Sequence, residues 1–234
     1  VAIGLWDPTS PIRLRVLHRG APRAIDRDWF REQVAAAADR RAELERVPGT
    51  TGYRIVSGEN DGLPGVVVDR YDRTLVLKLY TAAWAVHLDA LLDAIVAATR
   101  PERVVLRLAR VVQRAPLGEG LHDGATLWGT PPDGPVVFEE NGLRVEADVV
   151  AGQKTGWFLD QRENRERVRR LSRGARVLDV FSAGGGFTLH AAAGGATSVH
   201  SVDLSRGALD AARRNLALNS HLPEVARCEH RSTA

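Results

Sequence analysis

Residues 177–188 read V-L-D-V-F-S-A-G-G-G-F-T, and residues 198–203 read S-V-H-S-V-D. The first stretch is a short apolar run that enters a turn of three glycines, Gly184, Gly185 and Gly186, and continues into residues with the composition of a helix start. The second is another apolar run, closed by Asp203. Strand, glycine turn, helix and strand open a parallel α/β sheet, and an acidic residue some twenty positions beyond the first strand is placed to hold a ribose. Glycines let the backbone approach a ligand and accept positive φ, while the first N–H groups of the following helix can bind a carboxylate. Asp203 can accept hydrogen bonds from both ribose hydroxyls, and Asp179 is positioned to fix the turn and receive an amino group. The expected fold class is α/β with a Rossmann-like, nucleoside-binding domain. The glycines alone fit equally well a strand-to-helix turn that binds nothing.

Two other nucleotide motifs fit worse. Counting G-x-G-x-x-G from Gly184 places Leu189 at the third glycine, which disfavours a dinucleotide. The segment G-Q-K-T-G (152–156) has Gln153 where a phosphate loop needs glycine before its lysine.

With 234 residues the chain has room for two domains. Cys228 is the only cysteine, which excludes a disulfide framework and suits a reducing cytoplasm. Asp89 and Asp93 interrupt the longest apolar candidate for a membrane span, and no signal-peptide pattern opens the chain, so a soluble cytoplasmic protein is expected. No metal site is expected either. The net charge is +3, and Lys78 and Lys154 are the only lysines among 32 basic residues. Arginine forks suit phosphate, so this balance is compatible with nucleic acid without demonstrating it. The sequence starts at Val1, has no methionine, and stops soon after the second strand-helix pair, so a piece of a longer protein, cut at both ends, is expected.

Upstream, residues 12–16 alternate as a strand after a turn marked by Pro8 and Pro11. Residues 29–45 read as one amphipathic helix with Asp26 as N-cap and Pro48-Gly49 as its end. Strands are expected at 53–56, 65–68, 74–80, 103–108 and 136–139, a helix at 82–98, and loop or hairpin at 116–134. Residues 143–149 alternate, with Leu143, Val145 and Ala147 on one face. Residues 160–171 form a basic helix on which Arg162, Arg165 and Arg169 share a face, read first as solvated and second as phosphate-facing.

The stretches Y-R-I-V-S-G-E-N-D-G-L-P-G-V-V-V-D-R-Y (53–71), G-Q-K-T-G-W-F-L-D-Q-R-E-N-R (152–165) and L-D-V-F-S-A-G-G-G-F-T (178–188) together resemble class I methyltransferases that modify cytosine C5 in 23S, large-subunit ribosomal RNA. The likeness spans nearly the whole chain. It implies a remnant of a PUA-like β-barrel at 1–22, a helical linker at 23–48, a middle α/β domain at 49–149 and an incomplete Rossmann-like domain at 150–234. It also implies S-adenosylmethionine as cofactor, with Lys154, Thr155, Asp160 and Arg162 lining its pocket, Phe181, Ser182 and Gly185 beneath the methionine moiety, and Asp203 on the ribose. Ribosomal RNA is the implied partner, without a membrane, and a homodimer is compatible. The non-enzymatic alternative is an RNA-binding or assembly module on the same fold; another is a methyltransferase with a guanine target. Two departures stand out. Ala183 and Gly184 replace a bulkier pair, implying looser cofactor packing, and the thiolate that C5 chemistry requires is expected beyond Ala234, leaving the present chain inactive. Cys228 is read as a small buried hydrophobe instead.

Overall fold

The computed structural model describes residues 1–115 and 117–234. Chain contacts divide these into two compact units: one of residues 1–47, 51–136 and 148–156, the other of 48–50, 137–147 and 157–234.

The first unit opens with an antiparallel hairpin, β1 (Ala2–Trp6) and β2 (Leu14–Arg19), bulged at Ile3/Gly4. Asp26 caps α1 (Arg27–Asp39) by accepting from the Trp29 N–H at 3.0 Å. The expected single helix ends at Asp39, and a separate one-turn α2 (Ala42–Glu45) follows. Two successive arginines at this break share one acceptor: Arg40 and Arg41 both donate to the buried Asp61 carboxylate, which also accepts from the Ser57 N–H. Around a central sheet run β3 (Gly52–Ser57), β4 (Val66–Tyr71), β5 (Thr74–Leu79), β6 (Arg103–Leu108) and the short β7 (Thr126–Trp128), paired in that order. All pairs are antiparallel except β5–β6, which are parallel and joined by a crossover containing α3 (Leu88–Thr99).

A 3-10 turn, Ala82–His87, precedes α3, and the combined stretch is long and apolar enough to cross a membrane by length and composition. Trp84, Leu88, Leu91, Ala94 and Ile95 are nonetheless buried in the core that α1 and α3 share with one face of the sheet. Burial of those alternating strand residues, Val66, Val68, Leu75, Leu77, Leu79, Val104 and Leu106, drives the sheet's formation. Strand β7 falls within the stretch expected as loop or hairpin, whose first residue, Pro116, lies outside the described residues.

In the second unit, β8 (Val136–Glu140) and β9 (Leu143–Ala147) form a hairpin whose two turn residues, Asn141 and Gly142, take φ of 53° and 76°, the primed turn that Asn-Gly favours. Leu143, Val145 and Ala147 are all buried, as their alternation requires. A 3-10 turn at Leu159–Gln161 leads into α4 (Arg162–Leu171), so the expected basic helix begins two residues late. There follow β10 (Arg176–Val180), α5 (Gly186–Ala193), β11 (Ser198–Val202), α6 (Arg206–Leu218), α7 (Pro223–Arg227) and β12 (Glu229–Thr233). The three strands are parallel in the order β10–β11–β12, with Asp179 opposite Ser201. Val177, Val199 and Ala191 of α5 pack on the inner face, whereas Leu178, Val180 and Phe181 are exposed.

Candidate functional site

The chemistry of the second unit gathers where β10 gives way to α5. Three of the five residues after β10 adopt positive φ: Phe181 (62°), Ala183 (46°) and Gly185 (73°). Only the last is a glycine, and a bulky side chain in that region is an outlier of the kind found at functional sites. The turn is held on both flanks by the carboxylates singled out from the sequence. Asp179 accepts from the Thr188 N–H at 3.0 Å and the Thr188 hydroxyl at 2.7 Å, capping α5 from within the sheet. Its carboxyl is pushed up by burial, the Thr188 bonds opposing and the charge of Asp203 adding to the rise. Asp203, at the end of β11, accepts from the Ala183 N–H and the Ser205 N–H, each at 2.9 Å.

Gly186 and Phe187 stand in the first turn of α5, so their N–H groups have no acceptor within the helix. Beside them Ser182 is only 5% exposed, and its buried hydroxyl has no hydrogen-bond partner among the described residues. Phe181, by contrast, is 83% exposed. Asp160 is exposed in the 3-10 turn, and Arg162 at the start of α4 donates to Glu163 at 3.1 Å.

The protein side of the turn is tight. A Cβ on Gly186 would lie 2.9 Å from both Arg165 Cδ and Trp157 Cζ2, one on Gly184 3.1 Å from Trp157 Cζ3, and one on Gly185 2.5 Å from Ala212 Cβ. Gly184 therefore admits Trp157, whose ring takes the space a side chain there would need. Asn215 on α6 adds a strut, donating to the Gly184 carbonyl at 2.9 Å and accepting from the Glu146 N–H at 2.8 Å.

Arg165 corrects an expectation. Rather than being solvated or facing phosphate, it is 3% exposed and forks onto Glu140, itself 0% exposed, with Nε–Oε1 at 2.6 Å and Nη2–Oε2 at 2.7 Å. Arg169 is likewise drawn inward, donating to the Asn141 carbonyl, while Arg167 and Arg170 stay exposed.

Lys154 and Thr155 belong to the first unit. Thr155 is buried; its hydroxyl donates to Asp69 at 2.6 Å and so accepts from the Tyr71 hydroxyl at 2.8 Å. Lys154 is exposed, takes φ of 54°, and its carbonyl accepts from Lys78 at 3.0 Å. Two of the stretches quoted for the family likeness thus meet through Asp69, Tyr71 and Thr155.

Glu140, Trp157, Arg165 and Asn215 were not singled out as site residues from the sequence. Arg165 does close the G-Q-K-T-G-W-F-L-D-Q-R-E-N-R stretch, a usable signal, but nothing local marks Glu140 or Asn215. Cys228 is half-buried against Val199 and Ala191, and burial raises its thiol, so it is a weak nucleophile. Among the described residues no cluster of His, Cys, Asp and Glu could hold a metal ion.

Residues 122–231 match the family model of S-adenosylmethionine-dependent methyltransferases. Over 229 residues the chain is 52% identical to a ribosomal RNA large subunit methyltransferase of Deinococcus radiodurans, covering 96% of this chain and 56% of that protein. A proposed SAM-dependent methyltransferase from Streptococcus mutans is similar in structure, with a TM-score of 0.82 at 22% identity over 100% of this chain and 58% of that one. A proposed methyltransferase complexed with SAH gives a TM-score of 0.82 at 22% identity, covering 100% of this chain and 57% of its own. The chain spans little more than half the length of these relatives. The fold is Rossmann-like α/β. Residues 122–231 are thus similar to S-adenosylmethionine-dependent methyltransferases, and the chain is a homologue of the ribosomal RNA large subunit methyltransferases.

Proposed function

We propose that the glycine turn of the second unit binds S-adenosylmethionine, and that the protein carrying it methylates large-subunit ribosomal RNA at cytosine C5 in the cytoplasm. The observation that supports the binding most directly is the buried, unpartnered Ser182 hydroxyl beside the open N–H groups of Gly186 and Phe187. A buried hydroxyl without a partner costs about 1–3 kcal/mol, which a ligand carboxylate would recover. These donors would hold the methionine carboxylate at the positive end of α5. Asp179 would take the amino group, and Asp203 the ribose hydroxyls with the lone pairs its two backbone bonds leave. Phe181 and Gly185 would border the methionine moiety, with Asp160 and Arg162 in the same unit as further contacts. When bound, the cofactor supplies an electrophilic methyl group on sulfur.

The RNA reading is supported by the Deinococcus relative's name and by Arg167, Arg170, Arg173 and Arg176, all exposed on or just after α4. The C5 reading rests on the quoted motifs; it needs a thiolate, and the raised thiol of Cys228 does not provide one. Calorimetry with S-adenosylhomocysteine tests the site. Asp203→Ala should weaken binding roughly ten- to a hundred-fold by removing charge-assisted bonds; unchanged affinity would overturn the assignment. For the acceptor, large-subunit RNA from cells lacking the gene should lose one 5-methylcytidine by mass spectrometry, and an intact methylation pattern would refute the target.

A further inference from the structure

A buried ion pair is a poor way to gain stability, because the charges lose more hydration than their attraction returns, and apolar replacements of like volume are often neutral or better. The Glu140–Arg165 pair is therefore notable for where it lies. The guanidinium stacks 5.0 Å from the Trp157 ring centre and 6.0 Å from that of Phe187, the second residue of α5. Arg165 Nη2 also donates to the Phe158 carbonyl at 2.8 Å, and Trp157 Nε1 donates to Glu140 Oε2 at 3.3 Å. One turn further along α5, His190 Nδ1 donates to the Gly186 carbonyl at 2.8 Å, and its Nε2 lies 3.7 Å from Glu140 Oε1. Gly186, Phe187 and His190 thus all rest on one plate whose orientation is set by the planar fork.

We propose that Glu140 and Arg165 are positioning residues for cofactor binding, holding the first turn of α5 so that the Gly186 and Phe187 N–H groups meet the ligand carboxylate. This rests on the cofactor reading above. Binding donors must be held to within about half an ångström, and a fork locked by two short bonds between aromatic rings does this where a flexible side chain does not. Glu140 cancels the charge of Arg165, so what the pair contributes is geometry.

The test separates affinity from stability. In Glu140→Leu/Arg165→Met the charges leave together, so the fold should survive with an unfolding midpoint near that of the unsubstituted chain. Arg165→Lys keeps the charge and loses the fork. In both, affinity for S-adenosylhomocysteine by calorimetry should fall at least tenfold. Val199→Ala, a core truncation away from the turn, should lower the midpoint and leave affinity within twofold. Affinity within twofold of the unsubstituted chain in a folded variant would overturn the proposal alone. Failure of both variants to fold would make the pair a requirement of folding and overturn it as well. No binding by the unsubstituted chain would instead sink the cofactor reading on which it rests.

Discussion

Each unit contains a buried carboxylate gripped by an arginine fork, and the two differ in one respect. Asp69 in the first unit and Glu140 in the second are both 0% exposed, but Arg54, which binds Asp69 at 2.7 and 3.0 Å, is 39% exposed, whereas Arg165 is 3% exposed. Water can solvate Arg54 if its partner is lost. Water has almost no access to Arg165. The first pair is thus sensitive to loss of the arginine, which strands Asp69, and tolerant of loss of the acid charge; the second is sensitive in both directions. The lesson is that the cost of breaking an ion pair is set by the access of the partner left behind, more than by the length of the bonds.

The largest effects expected follow directly. Glu140→Ala and Arg165→Ala should each lower stability by about 3–5 kcal/mol, since each leaves a buried charge unpaired. In the first unit the corresponding substitutions should come out unequal, Arg54→Ala costing clearly more than Asp69→Asn. Urea denaturation of the four variants decides it; equal costs for Arg54→Ala and Asp69→Asn would break the comparison.

A somewhat smaller effect exploits the same dryness through pH. His190, packed against Glu140, is held neutral, its value lowered from 6.5 to about 4 chiefly by burial, with the charges of Arg165 and Arg169 adding to the fall. Between those values the unfolded chain binds a proton that the folded chain does not, so stability rises with increasing pH across that window and is lost as pH falls through it. The contribution is fully present above about pH 6.5 and gone below about pH 4, amounting to about 3 kcal/mol. In His190→Gln the denaturation midpoint should lose this part of its pH dependence between 4 and 6.5. A variant with the original slope would place the titration elsewhere.

These dry pairs also mark the limit of what the sequence shows. The turn at Gly184–Gly186, the strands around it and the helix cap at Asp26 are local, written in glycines, apolar runs and a capping residue within a few positions of one another. Asp179 and Asp203 were legible because strand-end spacing is set by the length of one βαβ unit. Arg165 was not, since an arginine at i, i+3 and i+7 on a polar helix looks the same whether its partner is water or a glutamate twenty-five residues upstream on β8. The helix break after Asp39 was hidden for the same reason: Arg40 and Arg41 have good helix propensity, and their common pull toward Asp61 is tertiary. Thr155 and Trp157 sit two positions apart in one motif, yet they serve different units, which no linear reading separates.

The smallest effect concerns backbone strain, where the units again differ. The β4–β5 turn of the first unit places Asp72 at φ 54°, a residue type that tolerates the left-handed region through its short polar side chain. The glycine turn of the second unit instead forces Phe181 to φ 62° with its ring largely in solvent, so little packing offsets the steric cost. That cost is about 1–2 kcal/mol for an ordinary L-residue, and a glycine would return it while losing about 0.5–1 kcal/mol of unfolded-chain entropy. Phe181→Gly should therefore raise stability by up to about 1 kcal/mol, while Asp72→Gly in the first unit should change it by only a few tenths. The two midpoints in urea, measured side by side, carry the comparison. Loss of stability in Phe181→Gly would mean that the phenyl ring makes packing contacts in solution worth more than the strain, and the turn would no longer stand as a site where strain is stored.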